Sequence, residues 1–354
     1  MSAPRSNFAN DPIRIALVGC GRISRNHFEA IGRLSELKLV AVCDSVEARA
    51  QQAGTEQSVP WFTNYENMLA ESQCDAVVIA TPSGVHPQHG VMAARAGKHV
   101  ISEKPMAITL AAADALVQAC DDNGVKLFVV KQNRLNPSIQ LLKRAIEKGR
   151  FGRIYMANCT VHWTRPQEYY DQAPWRGTWE FDGGAFMNQA SHYVDLIQWL
   201  VGPVESVMAK TATLARRIEA EDTGVALLKF RSGALGCIEV TMLTFPKNLE
   251  GSITILGEKG TVKIGGTAVN KVEHWTFSDY DDDDRLVESA STNPTSVYGF
   301  GHEPYYRNVT AVLRGEAHAD TDGRAGRKSL ELILGIYESA KIGREVPLPL
   351  RTQV

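Results

Sequence analysis

The sequence predicts an α/β protein in two parts. Residues 1–131 should form a parallel sheet with helices on both faces, and residues 132–354 an α+β domain with a large, mostly antiparallel sheet. Three observations carry this expectation. Short apolar runs alternate with helical patterns from Ile13 to Asn133, the order that gives parallel strands joined by crossover helices. A glycine-rich turn separates the first run from its helix. Beyond Gly152 the pattern lengthens into alternating strands closed by glycine-containing turns, as in antiparallel pairing with one face on helices.

The first unit of the alternation is explicit. IRIALVGCGRIS (13–24) passes from a β-branched strand through a turn into helical spacing at Ile23, His27, Ile31 and Leu34. The next apolar run, LKLVAVCD, ends at Asp44. Strand, turn, helix and strand fit within one βαβ unit, the Rossmann arrangement for a dinucleotide. Gly19 and Gly21 would allow the tight turn and the close approach of a pyrophosphate, with Arg22 and Ile23 beside them. The helix N-terminus would offer free N–H groups and the positive end of its dipole. Ser24 stands where the fingerprint has a third glycine, and Cys20 reads as a small filler. Asp44 can accept both adenosine ribose hydroxyls and would repel a 2′-phosphate, so NAD is expected over NADP.

The alternation continues through DAVVIATPS (75–83), HPQHGVMAARAG (86–97), HVISEKP (99–105), TLAAADALVQACDDNG (109–124) and VKLFVVKQNR (125–134). Ligands of such sheets bind past the carboxyl ends of strands. That location nominates Thr81, Pro82, Ser83, Glu103, Lys104 and Asn133, and His86 joins them as a cofactor contact.

Composition narrows the function. A net charge of -2 gives no case for binding nucleic acid. Six cysteines without a CxxC pair suit reduced thiols in a cytoplasm better than a disulfide framework or zinc site. The start lacks the apolar core of a signal peptide, and no run is long enough to span a bilayer. DYDDDD (279–284) lacks the spacing and turn glycine of a calcium loop and reads as solvated. No metal is expected.

In GGAFMNQASHYVD (183–195), Asn188, His192 and Asp195 fall at i, i+4 and i+7, one face of a helix. Imidazole needs little tuning to take a proton near neutral pH, so His192 is a candidate base. Lys104 could stabilise a developing alkoxide or, with its pKa lowered by burial, be the base itself. Asn188 cannot exchange a proton and should bind a hydroxyl or orient His192. Asp195 is a helix-face partner or a solvent-side acid.

GCGRIS, ATPSGVH, SEKPMA and GGAFMNQASHYVD together resemble the Gfo/Idh/MocA oxidoreductases, over nearly the whole chain. The resemblance implies a nicotinamide dehydrogenase of a sugar or cyclitol hydroxyl, with the family's lysine at Lys104 and its histidine at His192. Many members carry Asp where this chain has Asn188. That change, and the block WTRPQEYYDQAPWRGTWEFDGGAFMNQASHYVD as a whole, is similar to the branch oxidising C3 of UDP-2-acetamido-2-deoxy-glucuronic acid (UDP-GlcNAcA) in lipopolysaccharide O-antigen biosynthesis. Such a substrate carries a diphosphate and a carboxylate, so its site should supply arginines and stacking surfaces. Arg165, Tyr169 and Arg307 are expected at the substrate, and Trp175 and Arg176 near cofactor or substrate. The second face of the large sheet should be covered by further copies of the chain, giving a homotetramer. 2-Oxoglutarate is a candidate for reoxidising the cofactor in place. Competing expectations are a dehydrogenase of a free sugar or cyclitol, and a glycoside hydrolase oxidising C3 transiently with bound NAD. A non-catalytic NAD- or sugar-sensing module should lack the pair Lys104 and His192.

Overall fold

The computed structural model describes residues 8, 11–266, 268–292 and 301–350. The chain divides into two compact units, Met1–Val130 with His302–Arg327, and Lys131–Gly301 with Lys328–Val354. The first break comes one residue before the boundary read from the sequence. The return of 302–327 to the first unit carries no signal in the linear pattern, because an amphipathic helix does not say which core it faces.

In the first unit, β1 (Ile13–Val18), β2 (Leu37–Cys43), β3 (Trp61–Phe62), β4 (Ala76–Ile79), β5 (His99–Ser102) and β6 (Leu127–Val129) pair in parallel. Their order is β3-β2-β1-β4-β5-β6. The direction of winding reverses between β1 and β4, the switch point beside which dinucleotides bind in such sheets. The crossover helices are α1 (Ser24–Gly32), α2 (Glu47–Gln57), α3 (Tyr65–Glu71), α4 (His86–Arg95) and α5 (Leu110–Asp122). β4 and β5 are buried throughout, which is why they read as unbroken apolar runs. α5 starts where the Thr109 side chain accepts the Ala112 N–H, and it stops before Gly124 at φ +63°. α2, β3 and α3 were not anticipated, since a two-residue strand has no periodicity to read.

The second unit contains α6 (Pro137–Glu147), β7 (Ile154–His162), α7 (Gln167–Asp171), α8 (Ser191–Val201), β8 (Val204–Ala212), β9 (Thr223–Phe230), β10 (Leu235–Thr241), β11 (Glu250–Gly257), β12 (Gly260–Gly265), β13 (Lys271–Phe277) and α9 (Val287–Ala290). α10 (His302–Leu313) belongs to the first unit, and the division falls inside α11 (Gly323–Ile342), after which comes β14 (Val346–Pro347). The sheet runs β13-β12-β11-β7-β10-β9-β8-β14, antiparallel at every pairing except β7 with β10. Alternation sorts its faces. In β9, Ala226, Leu228 and Phe230 point inward while Val225, Leu227 and Lys229 point out. The inner face meets α8 through Cys159 Sγ at Tyr193 O (3.6 Å) and α11 through Ala209 N–H to Ser339 Oγ (2.9 Å). The outer face exposes Met156 opposite Leu235, and Leu227 opposite Met208.

The acidic run is tied down rather than loose. Asp281, Asp283 and Asp284 meet Lys148 (2.7 Å), Arg144 (3.2 Å) and Arg150 (2.6 Å), the basic residues at and beyond the end of α6. Among the described residues no helix is long and apolar enough to cross a membrane.

Candidate active site

The turn after β1 is built for close backbone approach. Gly19 has φ +97°, and a Cβ there would lie 2.5 Å from the carbonyl of Ala80 at the end of β4, so only glycine lets the two strand ends meet. Gly21 is different: a Cβ would meet nothing within 4 Å, so its face stays open for a ligand. α1 begins with no side-chain cap at Ile23 and no acid in its first turn, so the positive end of its dipole is not neutralised there, although Ser24 and Asn26 N–H already donate to Gly21 O (3.3 Å) and Ile23 O (3.1 Å). Ser24 Oγ instead donates to Gly21 O (2.6 Å), bracing the turn that carries Arg22 and Ile23. Asp44, one residue past β2, accepts from Cys20 N–H (2.9 Å) and Val46 N–H (2.8 Å), which aims its carboxylate beside the turn. These features fit the pyrophosphate and ribose of a dinucleotide. Burial pushes the Cys20 thiol up to about 12, with the Asp44 charge adding to it, so the small-filler reading stands and a reactive thiolate does not.

Thr81, Pro82 and Ser83 follow β4, with Thr81 Oγ1 3.1 Å from His89 Nδ1 and Ser83 buried. His86, expected as a cofactor contact, has both ring nitrogens engaged within the protein. Its ring is buried, with Nε2 against Thr81 O (2.7 Å) and Nδ1 against Pro105 O (2.8 Å), so it straps the β4 loop to the β5 loop.

After β5, Glu103 Oε2 accepts the N–H of Lys104 (3.0 Å), and Glu103 Oε1 meets His27 Nε2 (3.0 Å). His27 Nδ1 reaches the hydroxyl of Tyr306 on α10 (2.7 Å). Glu103 is therefore a buried anchor for the Lys104 backbone. Burial alone would raise its pKa, but the hydrogen bond and charge of His27, with Lys104 and His302, bring it down to about 2. His27, Glu103 and His302 bring ligand-type atoms within 4.8 Å of one another. Both His27 nitrogens are engaged, which makes the group a hydrogen-bonded network.

In the second unit, His192 and Asp195 lie on α8, but Asn188 does not. It belongs to a single π-helical turn, Ala185–Gln189, closed by Ala190 N–H to Ala185 O (2.8 Å). The chain resets at Ala190 (φ −90°, ψ 0°), so the single helix face expected for the three residues is corrected to two elements. The Asn188 amide donates to Asp182 Oδ1. His192 is buried, with Nε2 3.4 Å from Gln132 Nε2. Asp195 is no solvent-side acid. It is buried and paired with Arg134 (2.6 Å) and Lys131 (3.8 Å). Asn133 is also buried, and among the described residues its Oδ1, like Gln132 Oε1, has no hydrogen-bond partner; such acceptors suit a ligand's donors. Gln132 was missed by the sequence reading, although it stands one residue before Asn133 at the end of the β6 segment.

The expected arginines sort themselves by partner. Two guanidinium groups lie over the Tyr169 ring, Arg176 at 4.2 Å and Arg165 at 5.4 Å, with Trp163 5.1 Å from Arg165 and Trp175 4.9 Å from Arg176. Among the described residues neither guanidinium meets a carboxylate, and Arg176 Nε is buried without a hydrogen-bond partner. Guanidinium groups in this state have donors suited to phosphate or carboxylate. Arg307 lies on the exposed side of α10, where its Nη2 is paired with Glu303 (2.8 Å).

Comparison with known proteins identifies the family and the fold. A model of an oxidoreductase family's NAD-binding Rossmann fold matches residues 13–131, and a model of that family's C-terminal alpha/beta domain matches 143–348. The WlbA dehydrogenase of Bordetella pertussis, solved with NADH and UDP-GlcNAcA, is 58% identical with a TM-score of 0.94, over 97% of this chain and 99% of that one. The WlbA dehydrogenase of Chromobacterium violaceum, solved with the same two ligands, is 54% identical with a TM-score of 0.93, over 99% of both chains. D-apiose dehydrogenase of Paraburkholderia graminis is 28% identical over 94% of this chain and 89% of its own.

Proposed function

The chain belongs to the Gfo/Idh/MocA oxidoreductase family, and from that premise we propose that it oxidises the C3 hydroxyl of UDP-GlcNAcA to the 3-keto sugar, using NAD. The step would serve nucleotide-sugar supply for lipopolysaccharide O-antigen. The observation that carries the reading is the Arg165–Tyr169–Arg176 stack with no carboxylate partner, in a chain 58% identical to a dehydrogenase solved with NADH and UDP-GlcNAcA. A free sugar or cyclitol offers no anion for two guanidinium groups.

NAD, held by Gly19, Gly21, Arg22, Ile23 and Asp44, with Thr81, Pro82, Ser83 and Asn133 as further contacts, supplies the hydride acceptor. The rest of the chemistry belongs to the protein. Removing hydride from C3 requires that the hydroxyl proton leave at the same time. His192 takes that proton; its long 3.4 Å contact with Gln132 is the one a substrate hydroxyl would replace. Lys104, fixed through its own N–H by Glu103, stabilises the oxygen as negative charge develops. Asn188, steered by Asp182, binds a sugar hydroxyl without titrating. Arg165, Arg176, Tyr169 and Trp175 hold the diphosphate and carboxylate, and Arg307 serves as an outer anion contact.

The apolar rows on the outer sheet face, Met156 with Leu235 and Leu227 with Met208, support assembly as a homotetramer. Six unbridged cysteines support a reducing, cytoplasmic location. Reoxidation of the bound cofactor by 2-oxoglutarate completes the cycle.

Purified protein incubated with NAD and UDP-GlcNAcA should form a 3-keto product by mass spectrometry, and 2-oxoglutarate should then yield 2-hydroxyglutarate. No keto product, with turnover of D-apiose or an inositol instead, would overturn the substrate.

A further inference from the structure

The double glycine before Asn188 poses a packing question that the chemistry above does not use. A helical turn starting at Gly184 leaves its first N–H groups without partners inside the turn. Here every one is met by two residues distant in sequence. Ala185 N–H donates to the backbone O of Glu221 (2.9 Å), and Phe186 N–H to Glu221 Oε1 (2.9 Å). Gly184 N–H (3.3 Å) and Met187 N–H (3.1 Å) both donate to the hydroxyl of Tyr337 on α11. That hydroxyl in turn donates to Glu221 Oε1 (2.9 Å), closing the clasp.

The clasp explains the glycines. A Cβ on Gly184 would overlap Glu221 Oε2, and Gly183 sits at φ +73°, where a Cβ would lie 2.5 Å from Met187 Cβ. Among the described residues Glu221 Oε2 has no hydrogen-bond partner, and Oε1 takes both the Phe186 N–H and the Tyr337 hydroxyl. The turn is π-helical, one residue wider than an α-turn, and such turns persist only when the surroundings hold them.

We propose that Glu221 and Tyr337 are positioning residues for the reaction: by holding the N–H groups of residues 184–187 they set the wide turn that aims Asn188 and starts the helix of His192. The proposal rests on the roles given above to Asn188 and His192. Neither Glu221 nor Tyr337 is assigned a contact with substrate. Burial raises the Glu221 carboxyl to about 7, which the neighbouring Asp222 reinforces, so it serves chiefly as a hydrogen-bond acceptor and only in part as a charge.

The test compares Tyr337→Phe, Glu221→Ala, Glu221→Gln, Gly184→Ala and the double variant Gly184→Ala/Glu221→Ala, each with NAD and UDP-GlcNAcA. Tyr337→Phe and Glu221→Ala should lower kcat by about tenfold or more, since a misplacement of about 1 Å costs that much. The KM for NAD should stay within about twofold. Glu221→Gln, which keeps an acceptor oxygen, should recover most of what Glu221→Ala loses. Gly184→Ala should lose activity too, and the double variant no more than the worse single, because both act through one contact. The His192 imidazole NMR signal, identified by its absence in His192→Asn, should move in Tyr337→Phe. This readout survives even if wild-type protein fails to turn over UDP-GlcNAcA, an outcome that sinks the substrate assignment alone. Folded Tyr337→Phe with an unmoved His192 signal, or additive losses in the double variant, would overturn the proposal. So would a fall in kcat matched by equal losses in stability and in the KM for both ligands.

Discussion

Arg134 and Asp195 are joined at two points, Nε to Oδ2 at 2.7 Å and Nη2 to Oδ1 at 2.6 Å, with both side chains buried. Arg134 comes from the turn that carries Gln132 and Asn133, and Asp195 from the helix that carries His192, so the pair locks one to the other. Asp195→Asn would leave the guanidinium buried with its charge uncompensated. It should cost about 3–5 kcal/mol in denaturant unfolding. The pH profile of kcat should keep its shape, because the proposed proton acceptor, His192, is retained. A new or missing limb in that profile would show that Asp195 takes part in the chemistry.

The two turn glycines should fail differently. Gly19→Ala forces a Cβ against the Ala80 carbonyl and a left-handed φ on alanine, and should cost about 1–3 kcal/mol of stability. Gly21→Ala meets no protein atom within 4 Å, so it should fold normally. Its loss should appear in NAD affinity, by about tenfold, through steric conflict with the pyrophosphate. Calorimetry on both variants separates the effects.

Asp44→Ser should relax cofactor choice. Removing the carboxylate takes away the acceptor of the ribose hydroxyls and the repulsion of a 2′-phosphate. The ratio of kcat/KM for NAD over NADP should fall by about tenfold or more. An unchanged ratio would mean that another group selects the cofactor.

His27→Leu should make the protein acid-labile. The Glu103 carboxyl is held at about 2, below its ordinary 4.5, so its stabilisation is present above pH 4.5 and is lost as pH falls through about 2. Without His27 the carboxyl rises, and that loss should begin at higher pH. Unfolding free energies from urea titrations across this range should part from wild type by about 1–3 kcal/mol, and kcat should fall with the lost anchor of Lys104.

Glu221 has the opposite sign. Its pKa is raised from 4.5 to about 7, so its contribution is full below 4.5 and is lost as pH rises through 7. The difference amounts to about 3 kcal/mol across that window. Glu221→Gln should flatten this part of the stability curve, measured as urea midpoints against pH. A wild-type curve no steeper than the variant's would refute it.

What the sequence disclosed followed from locality. The β1 turn, Asp44 and the caps of α5 are short-range signals, each set by neighbours within a few residues. The outer and inner faces of β9 were readable because strand alternation survives in any context. Other features depend on residues far apart. His86 looks like a loop ligand until Pro105 O and Thr81 O close on it. Asn188 and His192 share a helical spacing, but Glu221 and Tyr337, 33 and 149 residues after Asn188, impose the wider turn that separates them. Asp195 looks peripheral until Arg134 is brought beside it.

The return of residues 302–327 to the first unit bears on the order in which a growing chain can finish folding. His27 leans on Tyr306, and Phe128 at β6 bridges to Asp322. The dinucleotide-binding unit therefore waits for contacts encoded 177 and 193 residues after Val129, the end of its last strand. A ribosome stalled before residue 302 would hold a half-made nucleotide site, with His27 and Glu103 joined to each other but not yet to α10.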